Sequence, residues 1–201
     1  MVRSMLRVLL CSFVCFASVA SAAPATSQMN TPLVEMQTTI DKLVEVVGAY
    51  PGDENRKTRR SKLYDIIEPH FDFSEMAKRS LGAHWNTIDG AQQKEFVELF
   101  SKLLARTYLD KIEGIKKDIV KFKGEQVDGG RAIVKTTVEN KGDVFPIDYK
   151  LLKRESGWHV YDVVIENIGL VSNYRNEFSG IIRKDKFTGL LEKLRKKVDA
   201  A

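Results

Sequence analysis

Cysteine is scarce in this chain of 201 residues, and its two copies, Cys11 and Cys15, lie close to the N-terminus. Neither is preceded by the small residues that mark a lipid-anchored cysteine. Because both lie in a segment that we expect to be removed, the mature chain has no cysteine. It therefore has neither disulfides nor thiol chemistry, a composition that is compatible with an export compartment such as the periplasm.

The N-terminal segment has the order of a secretory signal peptide. Arg3 and Arg7 form a basic start, an apolar run follows, and small residues end at Ala22. The apolar run is too short to span a bilayer; the alternative interpretation is a buried N-terminal helix. We expect residues 1–22 to be a cleaved signal peptide and residues 23–201 to form one exported domain.

Residues with catalytic or metal-binding chemistry are also few. The three histidines, His70, His84 and His159, lack the spacing of a metal site, and no serine lies in a G-x-S-x-G motif. No glycine-rich loop connects a strand to a helix, so a phosphate-binding loop is not expected. We expect no metal, no cofactor and no catalytic nucleophile.

A large excess of charge of one sign is lacking as well. Without Arg3 and Arg7 the chain has 30 basic and 27 acidic residues, a net charge of +3, which is too small to predict nucleic-acid binding. Basic residues cluster at positions 56–62 and again at 182–201, where seven basic and three acidic residues give +4. The simpler interpretation of both clusters is a solvated helix face. The alternative is a docking surface for an acidic protein or an anionic lipid surface.

Periodicity divides the remaining sequence into helices and strands. Helical spacing of apolar residues predicts six helices, with Thr31, Asp72 or Ser74, and Asp89 as N-terminal caps. The first helix begins at residue 32. The other five span about 55–67, 71–82, 89–112, 170–184 and 186–198. From Asp118 the period changes to two, and turn residues separate four strands at 119–127, 131–139, 144–154 and 157–166. Short connections make the strands antiparallel. The sequence thus predicts an α+β fold, a helix-rich single domain packed on a four-stranded antiparallel sheet.

Two polar residues interrupt apolar segments. Asp162 lies in the fourth predicted strand, and Arg175 lies in the helix that follows. A buried carboxylate needs a partner, so we expect either an Asp162–Arg175 ion pair or a backbone hydrogen bond that holds the helix to the sheet. The alternative is a small-molecule enzyme on a cone-shaped scaffold, with Asp162 as base and Tyr149 or Tyr161 as hydrogen-bond donor.

Apolar residues are abundant on both the helices and the strands. The segment 158–165 is apolar on both faces of its strand, apart from His159 and Asp162, and so needs cover on both faces. Such walls either fill a core or enclose a hydrophobic cavity, and the pattern alone leaves both possibilities open.

Several motifs, in order, resemble the MlaC family, which is also called the toluene-tolerance family. They are Phe71-Asp72-Phe73-x-x-Met76-Ala77-x-x-x-Leu81-Gly82-x-x-Trp85, Phe96-x-x-x-Phe100-x-x-Leu103-Leu104-x-x-Thr107-Tyr108, Trp158-x-Val160-Tyr161-Asp162-Val163-x-Ile165-Glu166 and Asn173-Tyr174-Arg175-x-x-Phe178, with Tyr149 between the second and third. The resemblance covers nearly the whole mature chain. It departs where Asn167-Ile168-Gly169-Leu170 replaces the usual Gly-Val-Ser-Leu. Asparagine tolerates the left-handed backbone that a glycine would adopt, so we expect the turn to remain.

The resemblance implies a phospholipid carrier without enzymatic activity. Proteins of this family shuttle lipid through the periplasm between an outer-membrane lipoprotein complex and an inner-membrane ABC transporter complex with an MCE-domain protein, which maintains outer-membrane lipid asymmetry. It also implies a hydrophobic cavity for the acyl chains of a diacyl phospholipid, in a chain that we expect to be a monomer. Together with the abundant apolar residues, it predicts lipid-binding roles for Phe100, Leu104, Tyr108, Phe145, Ile147, Tyr149, Leu151, Val160, Tyr161, Val163, Ile165 and Tyr174. The alternatives are the enzyme and a non-lipid envelope interaction protein with a filled core.

Overall fold

The computed structural model describes residues 31–116, 119–140 and 142–199, and the predicted signal peptide lies outside these residues. The helices are α1 (Pro32–Ala49), α2 (Arg56–Ile67), α3 (Phe73–Leu81), α4 (Gly90–Glu113) and α5 (Leu170–Asp199). The strands are β1 (Val120–Asp128), β2 (Arg131–Asn140), β3 (Asp143–Arg154), β4 (Gly157–Ile165) and β5 (Ile168–Gly169). Within the described ranges, no helix has the length and apolar character needed to cross a membrane. The predicted α+β class is confirmed.

Polar residues begin the helices where the sequence predicts. At α3, Asp72 Oδ1 accepts a hydrogen bond from the Glu75 N–H at 2.9 Å. At α4, Asp89 and Gln92 form a reciprocal capping box, with bonds of 2.8 and 3.1 Å. These side chains satisfy backbone donors that have no partner inside the helix, and so fix where each helix starts.

The sheet has five antiparallel strands in the order β1-β2-β3-β4-β5. The four long strands are those predicted, and the count of four was wrong by one short edge strand, β5. Glu166 and Asn167 connect β4 to β5 with φ values of 50° and 67°. Two successive positive φ values allow a two-residue hairpin turn, and the expected left-handed Asn167 is confirmed. We expected this turn to connect the fourth strand to the next helix. In the structure, the two residues of β5 pair with β4 before the helix begins.

A bulge in β4 decides which of its residues face the same side. Residues 150 and 151 of β3 are consecutive, yet they pair with Asp162 and Val160, so Tyr161 is the extra residue on β4. Val160 and Val163 consequently face the same side of the sheet although they are three residues apart, because their partners on β3 are two residues apart. Strict alternation would have placed Tyr161 with Val163 instead.

The C-terminal helix α5 bends sharply at Lys186, where φ is 61° and ψ is 177°. This is the position at which the sequence predicts two helices. The second half returns along the first, so that Lys197 Nζ lies 3.2 Å from Glu177 Oε1. Two other C-terminal cations are also in ion pairs, Lys193 with Asp185 and Arg195 with Glu95, each at 2.5 Å. Part of the basic C-terminal surface is therefore neutralised within the domain.

The basic segment of α2 is not simply a solvated face, which corrects the simpler interpretation of the sequence. Arg59 is only 8% exposed. Its Nε lies 3.0 Å from Glu113 Oε1, and its NH1 group donates to the carbonyls of Tyr50 and Gly52 at 2.7 and 2.8 Å. This residue ties α2 to the end of α4 and to the α1–α2 loop.

Two main clusters of buried side chains form the core. One joins α3, α4 and α5, where the rings of Phe96, Phe100 and Phe178 have centroids 5.5–5.8 Å apart. The other lies between α1 and the sheet, where Met36 and Ile40 pack against strand residues. The candidate site lies where these two layers meet.

Candidate functional site

A cavity of about 580 Å³ lies between the sheet, α1, α2, α3 and α4. Its wall is predominantly apolar, and every described helix and the four long strands contribute to it. The lining residues are Met36, Thr39, Ile40, Leu43, Tyr64, Ile67, Phe71, Phe73, Met76, Leu104, Ala105, Tyr108, Leu109, Asp110, Lys111, Ile112, Gly114, Ile115, Ile119, Val120, Val138, Phe145, Ile147, Tyr149, Val163, Ile165, Glu166 and Leu170. The volume is within the range of about 300–1,000 Å³ that is usual for ligand pockets.

The exposed lining residues mark the mouth of the cavity. Asp110, Lys111 and Gly114 lie at the C-terminal end of α4, and Glu166 lies in the β4–β5 turn. The other lining residues are buried or half-buried. The cavity thus opens between the end of α4 and the β4–β5 turn, and its other end is closed by buried side chains of α1, α3 and β4.

Polar atoms inside the cavity are uncharged. Burial raises the pKa of Tyr149 to about 12, although a hydrogen bond with Thr136 opposes the shift. Burial also raises the pKa of Tyr108. Thr39 Oγ1 donates a hydrogen bond to the Glu35 carbonyl at 2.8 Å, within its own helix. A long apolar ligand would therefore meet neutral phenols and a satisfied hydroxyl below the mouth.

Seven of the twelve predicted lipid-binding residues line the cavity. They are Leu104, Tyr108, Phe145, Ile147, Tyr149, Val163 and Ile165. On the sheet, Tyr149 and Val163 are paired across β3 and β4, as are Ile147 and Ile165, so four of the seven form a continuous wall.

The other five predicted residues lie outside the cavity wall, and packing explains each departure. Phe100 is fully buried, and Tyr174 meets it edge to face with ring centroids 5.2 Å apart, behind the wall in the helical core. Leu151 and Val160 pair with each other and are fully buried in the α1–sheet core. Tyr161 is the bulge residue, and its ring centroid lies 4.4 Å from the Arg79 guanidinium.

Several lining residues were not among the predicted site residues. Met36, Ile40 and Leu43 come from the apolar stripe of α1, and Phe73 and Met76 come from α3. Their helical spacing indicated an inward face, but spacing does not distinguish a side chain that borders a cavity from one that fills a core. The spacing therefore predicted the inward face correctly, but it did not predict which inward side chains border the cavity.

Asp162 lies outside the cavity wall, and Arg175 is not its partner, which corrects the predicted ion pair. Asp162 Oδ1 accepts a hydrogen bond from the Val171 N–H at 3.0 Å, and Oδ2 lies 3.2 Å from Lys150 Nζ. Arg175 Nε donates instead to the Arg79 carbonyl at 2.7 Å. The alternative prediction, a backbone bond that holds the helix to the sheet, is confirmed. The arrangement gives Asp162 a structural role and does not direct it at the cavity.

Titratable side chains do not gather into a metal site in the described part of the chain, where no group of three or more histidine, cysteine or acidic residues is close enough to hold an ion. His159 Nε2, in β4, lies 2.8 Å from the Oγ of Ser156 in the β3–β4 turn. Burial lowers the pKa of His70, and the nearby charge of Lys42 lowers it further. Neither histidine lines the cavity.

Comparison with known proteins agrees with this geometry. The model of the family described as "MlaC protein" matches residues 37–196. The chain is similar to the intermembrane phospholipid transport system binding protein MlaC of Haemophilus influenzae, with 19% identity over 173 residues that cover 82% of this chain and 81% of that protein. It is also similar to the structure of a phospholipid-binding protein from Ralstonia solanacearum in complex with a phospholipid. There the TM-score is 0.73 and the identity 27%, over 84% of this chain and 97% of the other. Because the family model spans most of the sequence, the chain belongs to the MlaC family.

Proposed function

We propose that this protein is a phospholipid carrier that hides the acyl chains of a diacyl phospholipid in the cavity and leaves the head group at the mouth. The observation that carries the proposal is a cavity of about 580 Å³ in which the charged lining residues that the structure describes are confined to the opening. An apolar ligand with one polar end fits such a distribution. The seven predicted residues of the wall are its proposed acyl-chain contacts.

The energetics favour a shielded carrier. Each CH₂ group transferred from water to an apolar environment gains about 0.8 kcal/mol. Two acyl chains of about fifteen carbons each would therefore cross water unaided only at a cost of roughly 20 kcal/mol. A protein that encloses the chains removes most of this cost without any chemical reaction, so the proposal requires neither a catalyst nor a cofactor.

The proposed setting is the periplasm. The signal-peptide pattern of residues 1–22 supports export. The name of the Haemophilus influenzae relative supports phospholipid transport between membranes, and the Ralstonia solanacearum structure supports phospholipid binding. In this proposal the protein acts as a monomer. It takes lipid from one membrane complex and delivers it to another: an outer-membrane lipoprotein complex and an inner-membrane ABC transporter complex with an MCE-domain protein.

Two substitutions on one strand test the cavity as a lipid site. Val163 lines the cavity, whereas Val160 lies in the filled core on the same side of the sheet. In Val163→Trp the added ring grows into the cavity, so bound lipid should fall while the melting temperature stays close to wild type. In Val160→Trp the added ring overpacks the core, which should cost about 1–3 kcal/mol of stability and leave the lipid content of the folded protein unchanged.

Solvent extraction and mass spectrometry give the lipid content, and thermal unfolding gives the stability. If Val163→Trp retained wild-type lipid while losing as much stability as Val160→Trp, the cavity would behave as core and the proposal would fail.

A further inference from the structure

Among the residues that the structure describes, three charged side chains line the cavity, and they are not equivalent. Asp110, Lys111 and Glu166 all lie at the mouth. Asp110 is engaged by the guanidinium of Arg60, which also pairs with Glu113 at 3.1 Å. Lys111 and Glu166 form no ion pair with another residue in the part of the chain that the structure describes. Within the described ranges, the mouth therefore presents one positive and one negative side chain that have no ion-pair partner.

Lys111 comes from the helical side of the mouth. It lies in the last turn of α4, and its Nζ is 5.5 Å from the ring centroid of Tyr108, one turn earlier. That ring is itself part of the cavity wall. The contact with the ring holds the ammonium group beside the opening rather than leaving it free in solvent.

Glu166 comes from the sheet side of the mouth. It is the first residue of the β4–β5 turn, with φ at 50°, and its N–H donates to the Pro146 carbonyl at 3.0 Å. The turn is thereby fixed to β3, and Ile165, the residue before it, lines the cavity. The carboxylate is thus presented at the sheet side of the opening, and the ammonium of Lys111 at the helical side.

We infer that Lys111 and Glu166 select a zwitterionic head group, of the phosphoethanolamine kind, on the lipid whose chains fill the cavity. Lys111 would bind the phosphate, and Glu166 would bind the terminal amine. A head group with a net negative charge would satisfy Lys111 but would be repelled by Glu166. This inference rests on the proposed function and adds the substrate class to it. Because both side chains are exposed, the preference should be about two- to fivefold rather than absolute.

A competition between two lipids tests the pair. The full mature protein is incubated at low salt with vesicles of equal phosphatidylethanolamine and phosphatidylglycerol content, which have the same acyl chains. The protein is then separated from the vesicles, and both lipids are quantified by mass spectrometry. Wild type should hold two to five times more phosphatidylethanolamine than phosphatidylglycerol.

Charge reversal gives the matched variants. Glu166→Lys makes the mouth doubly positive and should shift the preference to phosphatidylglycerol, whereas Lys111→Glu makes it doubly negative and should lower the uptake of phosphatidylglycerol most. The double swap, Lys111→Glu with Glu166→Lys, restores one charge of each sign and should restore the wild-type preference. Lys94→Glu, an exposed change at the opposite end of α4, should leave the ratio unchanged.

The outcomes separate this inference from the proposed function. If lipid is bound but wild type and all four variants have the same lipid ratio, the pair does not select the head group and the inference is overturned, although the carrier function stands. If the double swap behaves like either single variant, the two charges do not act together, which also overturns it. If wild type takes up no lipid of either kind, the carrier proposal itself fails.

Discussion

The backbone N–H of Val171, in the first turn of α5, donates a hydrogen bond of 3.0 Å to Oδ1 of Asp162 in β4. Asp162 is 6% exposed, and its second oxygen lies 3.2 Å from Lys150, whose side chain is 35% exposed. The first N–H groups of a helix have no acceptor inside the helix, so a hydrogen bond from one of them to a carboxylate is stabilising. This single residue therefore fixes the start of α5 against β4.

Asp162 should matter more for stability than its ion-pair partner Lys150 or the unrelated Arg175. Asp162→Ala leaves the buried Val171 N–H without its acceptor, so we expect a loss of about 1–3 kcal/mol. Lys150→Met should cost less than about 1 kcal/mol because the ammonium group is partly solvated. Arg175→Met is the control, since Arg175 bonds the Arg79 carbonyl instead. Urea unfolding gives all three values, and equal losses for Asp162→Ala and Arg175→Met would contradict this account.

Arg59 should matter more for stability than the exposed basic residues of α2. It is buried and holds Glu113 and two backbone carbonyls. Arg59→Met should cost about 1–3 kcal/mol because it leaves the Tyr50 and Gly52 carbonyls without this donor, whereas Glu113 keeps its ion pair with Arg60. Lys57→Met, an exposed change two residues earlier, should be within about 0.5 kcal/mol of wild type. Similar urea midpoints for the two variants would show that the buried network adds nothing.

Lys186 should be replaceable by glycine with a gain in stability. Its φ of 61° and ψ of 177° lie in a region that is almost restricted to glycine. Relief of this strain should exceed the entropic cost of a glycine, so Lys186→Gly should raise stability by about 1 kcal/mol. Lys184→Gly, two residues earlier inside the helix, should lower it by about 1 kcal/mol. Thermal unfolding that moves both variants in the same direction would refute the strained corner.

Tyr149 should make the protein sensitive to alkali. Its pKa is about 12 in the folded state, against 10.0 for the unperturbed phenol. The protonated phenol of Tyr149 therefore contributes to folding stability. This contribution is fully present below pH 10 and is lost as the pH rises towards 12, because the unfolded chain releases the proton first. It should amount to no more than roughly 2–3 kcal/mol.

The Phe variant isolates this contribution. Tyr149→Phe should lose less stability than wild type over the same pH interval, and Tyr174→Phe should behave alike because burial also raises the pKa of Tyr174 to about 12. Urea unfolding at a series of alkaline pH values, with tyrosinate absorbance in parallel, measures both. Identical pH profiles for wild type and both variants would mean that neither phenol is perturbed.

Local patterns in the sequence predicted the elements well because their causes are local. Alternation and turn residues gave the four long strands, and side-chain caps such as Asp72 and Asp89 gave the helix starts. The break of α5 near residue 186 was also predictable. The short strand β5 was not, since two residues carry no periodicity.

The site was only partly predictable because its decisive features are not local. The bulge at Tyr161 changes which side of β4 each residue faces, and nothing in strict alternation signals it. Whether Val160 or Val163 borders empty space depends on the helices packed against them. Likewise, the sequence left two partners open for the Asp162 carboxylate, the side chain of Arg175 or a backbone N–H. Only the folded position of the Val171 N–H shows that the partner is the backbone. The sequence thus indicated that apolar residues are abundant, but not which of them line the cavity.

The most direct test of the carrier account is native mass spectrometry of the mature protein, purified from the periplasm without detergent. The cavity should retain its ligand through purification, so the account predicts a complex whose excess mass equals one diacyl phospholipid per chain, released by solvent extraction. Lipid-free protein under these conditions, which also fails to take up phospholipid from vesicles, would contradict the account.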